Sequence, residues 1–285
     1  MEKCDHSGFQ QNLVQFASEL IQIDTSNWGD GAETVGEAAA ADYCASVLRQ
    51  YGWDPEVFTT TSDARRGVAL RVSGSDPSIP ALIFHAHLDT VPAIASEWSR
   101  PPFEGAVDEG CVWGRGAVDM KGMVAVILGV LQIWGIQRKR PRRDIIILLL
   151  PDEEAGGRHG AEWLTEHRKD LIEGASEAIG EVGGFSVHVT NEIRVYPVQV
   201  AEKGVHWVQL RAYGNGGHGS LDHPDNPVAR ISSAIARLTA FDWPPGSSGV
   251  TDELLNRLGR LLKSDRSNGM PESEVLSPVR PPDVS

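Results

Sequence analysis

Residues 145–150 read Ile-Ile-Ile-Leu-Leu-Leu, and the chain continues Pro-Asp-Glu-Glu-Ala-Gly-Gly through residue 157. An unbroken aliphatic run has no polar side to give to water, so it predicts a short strand covered on both faces. Such a strand needs helices on either side, and the sequence supplies them. Leu13, Phe16, Ala17, Leu20 and Ile21 recur at helical spacing until Asp24-Thr25-Ser26-Asn27 breaks the pattern. A second helix is predicted over 35–51 with Gly52 as its left-handed stop, and a third over 117–134 closed by Gly135. Residues 68–72 alternate as a strand, and 81–84 form another short apolar run. Strand, loop and helix thus alternate, which predicts an α/β domain with a largely parallel sheet flanked by helices.

The texture changes after residue 202, so residues 1–202 are expected to form one domain. Residues 205–213 alternate as a strand, 214–227 are rich in Gly and Pro, and 227–238 read as a helix. A smaller, incomplete α+β domain is expected over 203–263. From residue 264, Pro271, Pro278, Pro281 and Pro282 stand among polar residues, which predicts a disordered tail to residue 285.

Charge excludes one class of partner. The net charge is −13, from 26 basic and 39 acidic residues, whereas nucleic-acid binding rests on clustered cations. Arg138-Lys139-Arg140 with Arg142 and Arg143 is the one basic cluster, and its place between a helix and a strand predicts a solvated loop. Cys4, Cys44 and Cys111 are an odd, scattered set, which suits a reducing compartment better than a disulfide framework. Neither a signal peptide nor an apolar run of the ~18 residues a membrane span requires is expected. A cytoplasmic protein is the expectation.

Three motifs carry chemistry. His85-Ala86-His87-Leu88-Asp89 follows the apolar run at 81–84. On an extended segment His87 and Asp89 point to the same side. One ring nitrogen of His87 can then bind a metal while Asp89 orients the other. Gly114-Arg115-Gly116-Ala117-Val118-Asp119-Met120-Lys121-Gly122 puts Asp119 in a glycine-rich loop, where its two oxygens could bridge two cations. Glu153 and Glu154 follow the aliphatic strand; neighbours on an extended chain diverge, so one can coordinate metal while the other deprotonates a water. Taken singly, each has a plainer reading. His-x-Asp can be a pair of strand-end polar residues, Asp119 an N-cap, and the Glu pair a solvated acidic loop.

Their order and local sequence are more specific. HAHLDTVP, WSRPPFEGAVDEGCVWGRGAVDMKG and PDEEAGG resemble the zinc metallopeptidase family of aminoacylase, acetylornithine deacetylase, succinyl-diaminopimelate desuccinylase and glutamate carboxypeptidase, over about residues 10–240. The resemblance implies that His87 and Asp119 are metal ligands, that Asp119 bridges two zinc ions, and that Asp89 supports His87. It implies Glu153 as general base, Glu154 as a ligand of the other zinc, and a cis peptide between Asp119 and Met120. Glu181, in Ile-Gly-Glu-Val-Gly-Gly-Phe, matches the position of a further acidic ligand. His218, in Gly-Asn-Gly-Gly-His-Gly-Ser, matches a histidine that stabilises the tetrahedral oxyanion, commonly across a homodimer. Residues 214–219 also fit G-x-G-x-x-G, but Pro224 and Pro227 follow where a dinucleotide loop needs a helix. His85 is read as packing.

The implied activity is hydrolysis of amide bonds in N-acyl amino acids or small peptides, with two zinc ions and cobalt or manganese as alternatives. Family members continue further. This chain is therefore expected to be a C-terminally truncated member whose last zinc-binding histidine lies in the absent return segment. A second class stays open: a remnant that binds metal or a partner without turnover. So does a mononuclear site built on His87, Asp119 and Glu181.

Overall fold

The computed structural model describes residues 6–29, 34–181, 186–191, 193–199, 204, 208–221, 224–243 and 248–265. The chain divides into two compact units, Met1–Gly184 and Phe185–Ser285. The first contains α1 (His6–Gln22), α2 (Ala38–Gln50), β1 (Glu56–Thr59), β2 (Arg66–Val72), β3 (Ala81–His87), the short pair β4 (Val107–Asp108) and β5 (Cys111–Val112), α3 (Lys121–Gln137), β6 (Ile145–Leu150), α4 (Trp163–His167) and β7 (Ala175–Ile179). The second contains β8 (Val187–His188), β9 (Arg194–Val195), α5 (Pro227–Thr239) and α6 (Gly249–Asp265).

The sheet of the first unit runs β1-β2-β6-β3-β7. β3 is parallel to both β6 and β7, whereas β2 is antiparallel to β6 and β1 antiparallel to β2. The sheet is therefore mixed, and its parallel part is the three strands β6, β3 and β7. β6 lies between β2 and β3 with every residue buried. Ile145, Ile147 and Leu149 pack with Leu20, Cys44, Leu48 and Leu128 of the helical layer; Ile146, Leu148 and Leu150 pack with Phe58 and Leu164 on the other side. The aliphatic run is thus shared between two cores by the period of two along a strand.

α2 ends as expected: Gly52 takes φ +84 and its N–H donates to the Arg49 carbonyl at 3.1 Å. α3 differs from its expectation at both ends. Residues 117–120 form a turn rather than helix, and the helix passes through Gly135 to close on Arg138 at φ +49. Gly135 serves a close approach instead, since a Cβ there would meet the Tyr51 carbonyl at the end of α2.

In the second unit, residues 208–213 form no strand, contrary to their alternation. Alternation alone cannot hold a strand whose N–H and C=O groups find no neighbouring ladder among the described residues, and residues 205–207 of the expected strand lie outside them. α5 begins where predicted, with the Asn226 side chain accepting from the Val228 and Ala229 N–H groups at 2.9 and 3.4 Å. The expected tail from 264 lies outside the described residues except for 264 and 265, which belong to α6. Among the described residues, no helix is long and apolar enough to cross a membrane.

Candidate metal centre

The parallel strands deliver three chain segments to one edge of the sheet. His87 ends β3 in register with Leu150, the last residue of β6, and Phe84 is in register with Ile179, the last of β7. The segments carrying Asp89, Glu153 with Glu154, and Glu181 therefore leave at the same carboxyl-end edge, where α/β sheets bind ligands. Asp119 arrives from the turn before α3. That turn needs Gly114 and Gly116 at φ +147 and +84, and the Asp119–Met120 peptide is cis, as the resemblance implies. Lys121 then enters the core, where its Nζ donates to the Leu20 and Ile23 carbonyls at 3.0 and 2.6 Å and ties the turn to the end of α1.

The buried His87 imidazole is held from behind. Its Nδ1–H donates to the Asp89 backbone carbonyl at 3.0 Å, and the Asp89 Oδ1 lies 3.5 Å away. This fixes the ring so that Nε2 faces the carboxylates. Nε2 lies 2.9 Å from Asp119 Oδ1, 3.3 Å from Glu181 Oε2 and 3.7 Å from Glu153 Oε2. The Asp89 carboxylate, completely buried, also spans the next motif: its Oδ1 and Oδ2 accept the Glu153 and Glu154 backbone N–H groups, each at 3.0 Å. One carboxylate thus positions both the histidine and the Glu pair. Glu154 Oε1 in turn accepts the Val91 N–H at 3.2 Å.

Two overlapping sets bring donor atoms within 4.8 Å of one another: His87, Asp119 and Glu154, and His87, Glu153 and Glu181. Four carboxyl groups therefore crowd one imidazole. Their electrostatics record the crowding. Desolvation, reinforced by the charge of Asp119, pushes Glu154 up to about 7. Desolvation also raises Glu153, with His87 opposing and Glu181, Asp89 and Asp119 adding to it. Burial alone would lower His87, but the hydrogen bond and charge of Asp89, with Glu153 and Glu181, raise it to about 10. Asp89 goes the other way: burial is outweighed by the hydrogen bonds from His87 and Asn27, and its carboxyl is lowered.

His87, Asp119, Glu153, Glu154 and Glu181 thus come together, with Asp89 behind them. His85 packs its ring against Gly180, where a Cβ would collide with it. His218 belongs to the second unit; its Nδ1 lies 2.8 Å from Ser220 Oγ and accepts the Ser220 N–H at 3.3 Å. The motifs alone do not reveal four further polar residues behind the site: Asn27, Glu37, Arg65 and Asp152, each buried. Asn27 reads locally as a helix break, and Asp152 stands unremarked beside the Glu pair. Only their burial marks them.

The fold of the chain resembles one of known structure. It aligns with the crystal structure of human carnosine dipeptidase 1 at a TM-score of 0.52 and 20% identity, covering 61% of this chain and 39% of that one. Residues 83–253 match the model of Peptidase family M20/M25/M40, and the chain belongs to that family. N-fatty-acyl-amino acid synthase/hydrolase PM20D1 of Mus musculus is 32% identical over 233 residues, 79% of this chain and 45% of the relative. Succinyl-diaminopimelate desuccinylase of Alkalilimnicola ehrlichii is 31% identical over 247 residues, 81% of this chain and 59% of the relative. The chain thus spans 45% and 59% of the lengths of these two relatives.

Proposed function

We propose that this cluster holds two zinc ions and serves hydrolysis of the amide bond in N-acyl amino acids or small peptides. The observation that carries the reading is the convergence of one imidazole and four carboxyl groups at the carboxyl edge of the parallel strands. The donor set fits a divalent cation on charge. Glu153 and Glu154 are both raised, by desolvation first and by neighbouring carboxylates after it. A cation among them would relieve that repulsion. Oxygen donors with one imidazole suit zinc, and cobalt or manganese as substitutes.

In this reading His87, Asp119, Glu154 and Glu181 would hold the ions, with His87 and Glu181 serving one, Glu154 the other, and Asp119 placed to be shared. Asp89 orients His87. Zinc supplies Lewis acidity, polarising a carbonyl oxygen and bringing the pKa of water to about 7. Glu153 takes the proton from the attacking water and returns it to the leaving amine nitrogen. Its half-exposed carboxyl suits that role, because it must meet water and substrate. His218 is proposed as the oxyanion donor on the family resemblance, with residues 1–202 as the catalytic domain and 203–263 as a partial lid. The names of the two relatives favour acylated amino acids as substrates. The compartment proposed is the cytoplasm.

The test is metal analysis, followed by hydrolysis of a panel of N-acyl amino acids and dipeptides with added zinc or cobalt. Turnover that Glu153→Gln abolishes is the expected result. Activity no greater than that of the variant would sink the catalytic reading for this chain. One zinc per chain instead of two would leave a mononuclear site.

A further inference from the structure

We infer that Arg65, held between Glu37 and Asp152 beneath the cluster, is a positioning residue for the metal centre, acting through Asn27 and Asp152 on the Glu153–Glu154 turn. This rests on the metal reading above. Arg65 immediately precedes β2, and its side chain turns inward rather than to solvent, with 6% of the residue exposed. One guanidinium nitrogen donates to Glu37 Oε1 at 2.6 Å. The other lies 3.1 Å from Asp152 Oδ1 and donates to Asn27 Oδ1 at 3.2 Å.

That last contact decides which way Asn27 points. With its oxygen engaged by Arg65, its Nδ2 must face the carboxylates, and it donates to Asp89 Oδ2 at 2.8 Å and Asp152 Oδ1 at 3.1 Å. These two aspartates bracket the Glu pair. Asp89 accepts the N–H groups of Glu153 and Glu154, while Asp152 adopts φ +70, a left-handed conformation uncommon for a residue with a side chain. Its Oδ2 accepts the His159 N–H at 2.8 Å, so both of its oxygens are engaged. The turn that aims Glu153 and Glu154 is therefore held by two carboxylates that Asn27 joins, and Arg65 pairs with one of them, Asp152.

Stability is a poor explanation for this arrangement. Replacing a buried ion pair by apolar groups of similar size is often neutral or stabilising. Here Glu37 Oε2 also lacks a hydrogen-bond partner among the described residues, a further cost. Groups that orient metal ligands from behind, by contrast, typically contribute about ten- to a hundredfold in metal affinity.

The experiment measures cobalt(II) affinity, by competition with a chromophoric chelator, and the absorption spectrum of the cobalt-loaded chain. Arg65→Met is expected to weaken cobalt binding by about ten- to a hundredfold and to shift the visible bands. Arg65→Lys keeps the charge but loses the planar fork, so it should fall between Arg65→Met and wild type. It carries the test if Arg65→Met does not fold. Leu48→Ala, a core cavity in α2 remote from these groups, should lower the unfolding midpoint yet leave affinity and spectrum unchanged. Wild-type affinity and spectrum in both Arg65 variants would overturn the inference, as would an equal loss in Leu48→Ala. A wild-type chain that takes up no cobalt would overturn the metal reading, and this inference with it.

Discussion

The site has a buried half and an open half, and they obey different rules. Asp89, Asn27, Asp152 and His87 are at most 5% exposed, and each is engaged by named partners. The side chains of Asp119 and Glu153 are 57% and 54% exposed and crowd a single imidazole. These four buried groups are each hydrogen-bonded, as groups out of reach of water tend to be, and Glu37 Oε2 behind them is left without a partner among the described residues. The open half leaves negative charge uncompensated, which is what a site for a cation requires. In the proposed reading, geometry is set in one half and chemistry is performed in the other.

Removing chemistry without geometry should give the largest effect. Glu153→Gln is expected to reduce turnover by about 10²–10⁴-fold, while zinc content and the thermal midpoint stay close to wild type. Steady-state kinetics beside metal analysis check this, and a large fall in the midpoint would erase the division between halves. The converse change is Asp89→Ala, which leaves two backbone N–H groups and the Asn27 amide without their acceptor. It should destabilise by about 3–5 kcal/mol, the cost of breaking a buried charged network, read by urea unfolding. A loss no larger than that of an exposed-site variant would mean that the buried half does not set the geometry.

Zinc itself should bridge the two halves. At free zinc about a hundred times its Kd, the fold gains about 2.7 kcal/mol, seen as a higher unfolding midpoint that chelation reverses. No rise would argue against a preformed site. The smallest effect tests the buried half by pH. Desolvation outweighs the charge of Arg65 and raises Glu37 from 4.5 to about 7. A carboxyl raised in the fold contributes stability that is full below its unfolded value and lost as pH rises through the folded one. Glu37→Gln, fixed in the neutral state, should therefore gain on wild type by about 2.5 kcal/mol between pH 5 and pH 8. A constant difference across that range would remove Glu37 from the titrating groups.

Much of the site could be read from local patterns. His87, Asp89, Asp119, Glu153 and Glu154 stand beside the glycines, prolines and apolar runs that expose them, and each motif is short enough to be recognised in one stretch. The network behind them could not be read in this way. Asn27 and Asp152 are 125 residues apart in the chain, yet 3.1 Å apart at their polar atoms. No local spacing carries that information. Of the strands, β1 and β7 are also not legible in the sequence, because these edge strands bury few residues and lack a marked apolar pattern.

What the sequence by itself determined is the set of elements whose physics is local. The strand at Ile145–Leu150 follows from unbroken aliphatic character, the end of α2 from Gly52, and the candidate donors from the motifs that follow β3 and β6 and precede α3. Only the tertiary structure decided the mixed order of the sheet, the close approach that requires Gly135, and the turn of Arg65 into the interior. Each of these depends on which distant segment becomes a neighbour. That choice is made by burial and by the pairing of polar groups across the whole fold, and no window of sequence contains it.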